Sequence, residues 1–244
     1  PEAVNGCEFV YSKLHKFSYF TLISWSRSMD LIKAIEERRS TRGFLDKPVS
    51  RDTLETLLRL ATQAPSAINL QPWEFAVVSG EERKRLSRLL VKRMKERNIS
   101  CGPGATRQLP EYFVERERGL LNVMRPYLPE QKPFQDFINE GSCNFYGAPT
   151  PIIITVDDVF SSARLADIGI VVGYLVLAAH DLGLGTCPIG LITAFDEDIK
   201  EELSLPEEKR VVIGVAVGYR DPDASVNQPK SERASLNDKL KWRE

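Results

Sequence analysis

Apolar positions Leu54, Leu57, Leu58 and Ala61 repeat at i, i+3, i+4 and i+7, which predicts a helix capped by Ser50 and stopping before Pro65. A shorter helix opens at Asp30, with Leu31, Ile32 and Ile35 sharing a face, and ends in the basic cluster Arg38 to Arg42. Trp73 to Val78 reads as a strand and Ser79-Gly80 as a turn and cap. Glu81 to Arg97 comes next as an amphipathic helix carrying Leu86, Leu89, Leu90 and Met94. Ile152 to Val156 and Val211 to Val217 are continuous β-branched runs, as expected of central strands covered on both faces.

Between those runs lies a long helix, Arg164 to Leu182, ended by Gly183 as a left-handed C-cap. Gly169 and Gly173, four apart on it, would let another backbone approach closely. Residues 105–147 read as an irregular, aromatic-rich segment containing Tyr112, Phe113, Tyr127, Phe134, Phe137, Phe145 and Tyr146. From Arg220 to Glu244 the chain is polar and contains Pro222 and Pro229, the pattern of an extended tail that gains stability by wrapping something. With no internal repeat or composition shift, residues 29–244 form one domain, preceded by an N-terminal extension, 1–28.

Composition narrows the function classes. Lys and Arg number 33 against 34 Asp and Glu, so no global field favours nucleic acid or an anionic membrane. The longest apolar stretch, Ile168 to Ala179, falls short of the roughly 20 residues that span a bilayer, and reads as a buried helix. Cys7, Cys101, Cys143 and Cys187 lie far apart without a Cys-x-x-Cys pair, which argues against zinc and for free thiols in a reducing cytoplasm. Ser66 lacks the Gly-x-Ser-x-Gly elbow of α/β-hydrolases. Gly183-x-Gly185 comes after a helix rather than a strand, the reverse of a Rossmann phosphate turn.

Two segments carry candidate chemistry. Arg38, Arg39, Ser40, Thr41 and Arg42 crowd three guanidiniums and two hydroxyls into five residues. Such cations repel unless an anion neutralises them, and phosphate suits guanidinium forks; the plainer alternative is a basic helix end complementing the macrodipole. The second segment, Ala64-Pro65-Ser66-Ala67-Ile68-Asn69-Leu70-Gln71-Pro72-Trp73, is stiffened by two prolines. Its small residues admit a flat ligand, and Ser66, Asn69 and Gln71 supply donors and acceptors.

The order Arg-Arg-Ser-Thr-Arg, then Ala-Pro-Ser-x-x-Asn-x-Gln-Pro-Trp about two dozen residues later, closely resembles the nitroreductase family of flavoproteins. Further matches lie in Gly147-Ala148-Pro149, in Gly183 to Gly190, in Gly214 to Gly218, and in Pro229-Lys230-Ser231-Glu232-Arg233. The resemblance implies an α+β fold with a mixed central sheet flanked by helices, an intertwined homodimer, and FMN sites at the subunit interface. It places Arg38, Arg39, Ser40 and Arg42 at the flavin's phosphate and pyrimidine edge, and Lys230 with Arg233 at the phosphate. Pro65, Ser66, Ala67 and Asn69 are expected from the other subunit. Pro188, Ile189 and Gly190 match the segment lying against the flavin ring, Gly190 standing where some bacterial relatives place a glutamate.

In function, the resemblance implies an FMN-dependent oxidoreductase that takes hydride from NADH or NADPH and passes it to nitroaromatics, quinones or other small planar acceptors in ping-pong fashion. The cofactor carries that chemistry, so no catalytic acid or base and no metal is required. The 105–147 segment is expected to act as a lid. Reductive dehalogenation or flavin fragmentation on the same scaffold is the alternative. A non-enzymatic protein docking nucleic acid or an acidic partner through helix 81–97 is the reading from another class, against a solvated outer face.

Overall fold

A computed structural model describes residues 30–129 and 132–244, so the reading of residues 1–28 as an extension lies outside the described residues. Four strands, β1 (Trp73–Val77), β2 (Ile152–Asp157), β3 (Gly185–Ile189) and β4 (Lys209–Gly218), form one sheet in the order β1-β2-β4-β3. All three pairings are antiparallel, and the register slips between Ile154 and Thr155. The parallel contribution to the expected mixed sheet is an isolated bridge from Ser40 to Thr186 on edge strand β3. The two β-branched runs are the central strands, as their two-sided hydrophobicity predicts.

Helices cover both faces. Ile152, Ile154 and Val156 join a core formed with α2 (Arg51–Ala61) and α6 (Leu165–Asp181). Ile153 points the other way, into a second core with α3 (Gly80–Glu96), α5 (Phe134–Cys143) and α7 (Asp196–Glu202). This alternation is the period-two pleat acting on a strand whose residues from Ile152 to Val156 are all β-branched. The remaining helices are α1 (Leu31–Glu37) and α4 (Glu111–Met124).

The α1 and α2 caps behave as their sequences require: Asp30 accepts from Ile32 N and Ser50 from Thr53 N. Ser79 stands at the α3 N-cap without a side-chain cap hydrogen bond. Gly183 takes φ +74°, the left-handed conformation that ends α6. The sequence reading differs from the structure in four places. The 105–147 segment is largely helical, holding α4 and α5, because its aromatics are spaced around two helix faces broken by Pro129 and Pro133. Strand β3 follows the Gly183 C-cap where the sequence marks no strand, since antiparallel pairing with β4 supplies order that its own residues do not. Together with the turn before it, α6 spans 20 residues, Ser162–Asp181, long and apolar enough by composition to cross a bilayer, yet it buries Ile168, Val171, Leu175 and Ala179 against α2 and the sheet. Finally, the apolar face of α1 is open: Leu31, Ile32 and Ile35 are all exposed, and only Ala34 of that helix is buried.

On α3 most of the basic residues are tied to carboxylates. Lys84, Arg85, Lys92 and Lys95 meet Glu81, Glu202, Glu96 and Glu140. Arg93 and Arg97 converge on buried Asp198 of α7 at 2.9 and 2.7 Å. Charge already neutralised this way makes a solvated, ion-paired face rather than a polyanion dock.

Thr41 packs so closely on β3 that a Cβ added at Gly185 would lie 2.5 to 2.9 Å from its side-chain atoms. Gly185→Ala is expected to destabilise the fold by about 1–3 kcal/mol, the usual cost of forcing atoms into a filled site. A urea titration would register this as a lower midpoint at unchanged slope.

Candidate functional site

After α1 the chain turns sharply, Arg38 adopting φ −56° and ψ 132°, and runs extended along the sheet edge. Thr41 N donates to Thr186 O at 2.8 Å, Leu45 N to Tyr219 O at 2.9 Å, and Phe44 bridges Arg220. Buried Asn227 holds the middle of this segment. Its Oδ1 accepts from Arg42 N and Gly43 N at 2.8 and 3.1 Å, and its Nδ2 donates to Gly43 O and Asp221 O at 2.7 and 3.0 Å. All the amide's strong bonding capacity therefore goes into one turn of backbone.

The consequence is a basic cavity of about 560 Å³ where Arg38, Arg39, Ser40 and Arg42 meet Lys230 and Arg233 of the tail. Burial pushes the Arg38 guanidinium below its ordinary range, and repulsion from Arg233 and Arg39 lowers it further. Nε of Arg42 is buried without a hydrogen-bond partner among the described residues. Cations that crowd and repel, with a buried donor left open, are the chemistry of an anion site. Cys187, buried on β3, has its thiol pushed up by desolvation while Arg42, a hydrogen bond to Ser40 and Arg38 pull the other way.

Arg42 also borders a second cleft, of about 610 Å³, whose walls come from α4, α5, Tyr146 and Pro188. Its guanidinium stands 5.8 Å from the Tyr146 ring centroid. Phe145, Tyr146 and Gly147 all take positive φ, and the Tyr146 ring rests where a Cβ on Gly141 would have to be. Burial raises the Tyr146 hydroxyl above its ordinary range. An apolar cleft joined to a cationic cavity through one shared arginine suits a ligand that is flat at one end and anionic at the other.

The Pro65 to Gln71 loop is preorganised but stands apart from both cavities. Ser66 Oγ accepts from Gln71 N at 2.9 Å, and Gln71 Nε2 donates to Asn69 Oδ1 at 3.1 Å. Ala67 N donates to Oδ1 of buried Asp167 at 3.3 Å, and Arg164 Nη1 reaches the other carboxylate oxygen at 3.2 Å. Ile68, Asn69 and Gln71 all have positive φ, which for a β-branched isoleucine is a strained conformation. Ile68 is 90% exposed.

Of the residues that the sequence marks as candidates, Arg38, Arg39, Ser40, Arg42, Lys230 and Arg233 come together, and Pro188 joins them through the second cleft. Ile189 is buried in the core, leaving only its backbone to offer, and Gly190 lies exposed at the strand's end. Pro65, Ser66, Ala67 and Asn69 do not reach the basic cavity of their own chain. Asn227 and Asp167, which hold the two segments in place, are not marked by the sequence; a lone polar residue carries no signal of being buried.

Fold and cavity together define an α+β protein in which a basic cavity adjoins an apolar cleft. The sequence profile of the Nitroreductase family matches residues 35–219, and the chain belongs to that family. It is 31% identical over 222 residues to the chloronitrobenzene nitroreductase of Comamonas testosteroni, covering 84% of this chain and 92% of that one. The crystal structure of the FMN-dependent nitroreductase NfnB from Mycobacterium smegmatis in complex with NADPH superposes with a TM-score of 0.78 at 29% identity, covering 87% of this chain and 97% of the other. An iodotyrosine deiodinase from Thermotoga neapolitana is 27% identical over 199 residues, covering 81% of this chain and 91% of that one.

Replacing Asn227 by Ala removes the side-chain partner of two backbone N–H groups and of the Asp221 carbonyl in a part-buried setting, while Gly43 O keeps its bond from Asp221 N. The expected cost is about 2–4 kcal/mol, from about 1–3 kcal/mol for each group that water cannot reach. Chemical denaturation measures it, and a loss below about 1 kcal/mol would mean that the Arg42 segment is held by other contacts.

Proposed function

We propose that the protein is an FMN-dependent NAD(P)H oxidoreductase that reduces nitroaromatics, quinones and similar flat acceptors. One observation carries the reading: five cationic side chains of two distant segments share a cavity in which a buried Arg42 nitrogen has no partner among the described residues. The residues fit the cofactor. A phosphate needs the guanidinium forks of Arg38, Arg39 and Arg42, the Ser40 hydroxyl, and the cations Lys230 and Arg233. A flat ring system needs the confined wall offered by Pro188 and the backbone at Ile189 and Gly190. When bound, FMN supplies a two-electron relay from NADH or NADPH to the acceptor, with ping-pong kinetics.

Within that frame the chain's own groups bind, orient and exclude water. Arg42, fixed by Asn227 and facing Tyr146, offers a positive charge where phosphate cavity and apolar cleft meet. Helices α4 and α5 line the cleft, which supports the reading of the 105–147 segment as a lid over the acceptor. Pro65, Ser66, Ala67 and Asn69 complete the site of a second copy in a homodimer. Support comes from the strained, outward-facing loop and from the exposed apolar residues Leu31, Ile32, Ile35, Ile170 and Tyr174 on α1 and α6. Gly169 and Gly173 lie on this same α6 with open space where their side chains would be, room for a partner's backbone. The free thiols of Cys101, Cys143 and Cys187 suit a reducing cytoplasm.

Purified protein should be yellow, dimeric in sedimentation, and bleached by NAD(P)H without oxygen. Arg42→Ala should lower FMN affinity about 10- to 100-fold, the loss of about 1.5–3 kcal/mol for a charge-assisted bond, with little change in unfolding midpoint. Unchanged affinity on titration would remove the phosphate assignment. Turnover of halide-bearing aromatics with halide release but no nitro or quinone reduction would replace the reaction class while keeping the cofactor.

A further inference from the structure

The apolar cleft under α4 and α5 has a second guanidinium on its border besides Arg42. Arg116 lines both this cleft and the adjoining basic cavity, and so stands on the rim between them. No carboxylate pairs with it among the described residues, whereas its neighbour Arg118 meets Glu111 at 3.6 Å. A lone exposed arginine is ordinary; its fixation is what distinguishes Arg116. The guanidinium lies 5.3 and 5.5 Å from the ring centroids of Tyr112 and Phe113. Aromatic contacts hold a guanidinium by its face and leave the N–H edge free, and that edge matches a carboxylate in two parallel bonds.

The rest of the cleft gives this donor a direction. Phe113, Phe134 and Ile138 supply apolar wall for a ring. Glu117, one residue along α4, also lines the cleft and lies near Cys101, whose thiol is raised by burial and then by the Glu117 charge. An anionic substituent is repelled by Glu117 and drawn to Arg116.

We propose that Arg116 is a specificity-determining residue that selects flat aromatic acceptors bearing a carboxylate. This rests on the oxidoreductase reading above for the word acceptor, and on the cleft alone for the binding preference. The test uses FMN-loaded protein, wild type and Arg116→Gln, at fixed ionic strength and without reductant. Calorimetric titration with 4-nitrobenzoate and 4-nitrobenzamide compares a carboxylate with a neutral group of the same shape. Wild type is expected to bind the carboxylate about tenfold more tightly, and the variant to lose that preference while binding the amide as before. With NADPH added, KM for 4-nitrobenzoate should rise about tenfold in the variant and kcat should stay.

Equal affinities in wild type, no binding of either compound, or a preference that survives in Arg116→Gln overturns the proposal. So does a variant that weakens FMN retention or the KM for NADPH while treating both aromatics alike, which would assign Arg116 to cofactor or donor phosphate. Carboxylate preference that depends on Arg116, in a protein that reduces no nitro compound or quinone, upholds the selection and overturns the catalytic reading instead.

Discussion

Convergence of like charge governs this structure. Two guanidiniums a few ångströms apart near a protein surface repel by a few kcal/mol at an effective dielectric of about 20, and here Arg38, Arg39, Arg42, Lys230 and Arg233 share one cavity. A chain left to itself would splay such groups into water. They stay together because backbone, rather than side-chain attraction, fixes them: Thr41 is bonded to Thr186, Asn227 grips both sides of the Arg42 to Gly43 peptide, and Gly185 lets Thr41 sit directly on β3. The stability of the sheet edge thus holds cations where an anion can neutralise them.

The same backbone frame couples the two cavities. Arg42 combines buried backbone anchoring, an unpartnered Nε and contact with Tyr146. Tyr146 in turn is fixed by an unusual run of left-handed residues and by the absence of a side chain at Gly141. Neither position would hold its neighbour if the local backbone relaxed, so the basic cavity and the apolar cleft are joined through a fixed Arg42. For the proposed flavin reaction that junction matters more than any acid or base, because orientation of donor and acceptor is what the protein contributes.

Sequence discloses what repeats locally and hides what depends on distant partners. Helices α2, α3 and α6 and the central strands β2 and β4 are legible because their apolar spacing alone demands a covered face. The basic segment is legible as charge that cannot be left unpaired, its tail partners only through the family resemblance, and the two do meet. Strand β3 is hidden because Gly185, Thr186 and Pro188 have weak strand character and take their order from β4. α4 and α5, which open after Pro110 and Pro133, are hidden because aromatic density masks their helical period. Asn227 and Asp167 are hidden for another reason: their partners are backbone amides 185 and 100 residues away.

The pattern of α1 is the most instructive case, because its apolar face is plain in the sequence and yet covers no core of its own chain. Leu31, Ile32 and Ile35 remain open, as do Ile170 and Tyr174 of α6 and the tip residue Ile68. Removing such side chains from water is worth about 25 cal/mol per Å² of apolar area, so covering them favours association with a partner. The loop carrying Ile68 holds positive φ at three residues, on the order of 1–3 kcal/mol each, and its internal hydrogen bonds leave the Ile68 side chain turned out to solvent. Strain that exposes an apolar side chain is explained when the shape serves a neighbouring molecule. On the proposed homodimer, hydrophobic burial at α1 and α6 offsets the strain, and the loop that bears it is the piece each basic cavity lacks.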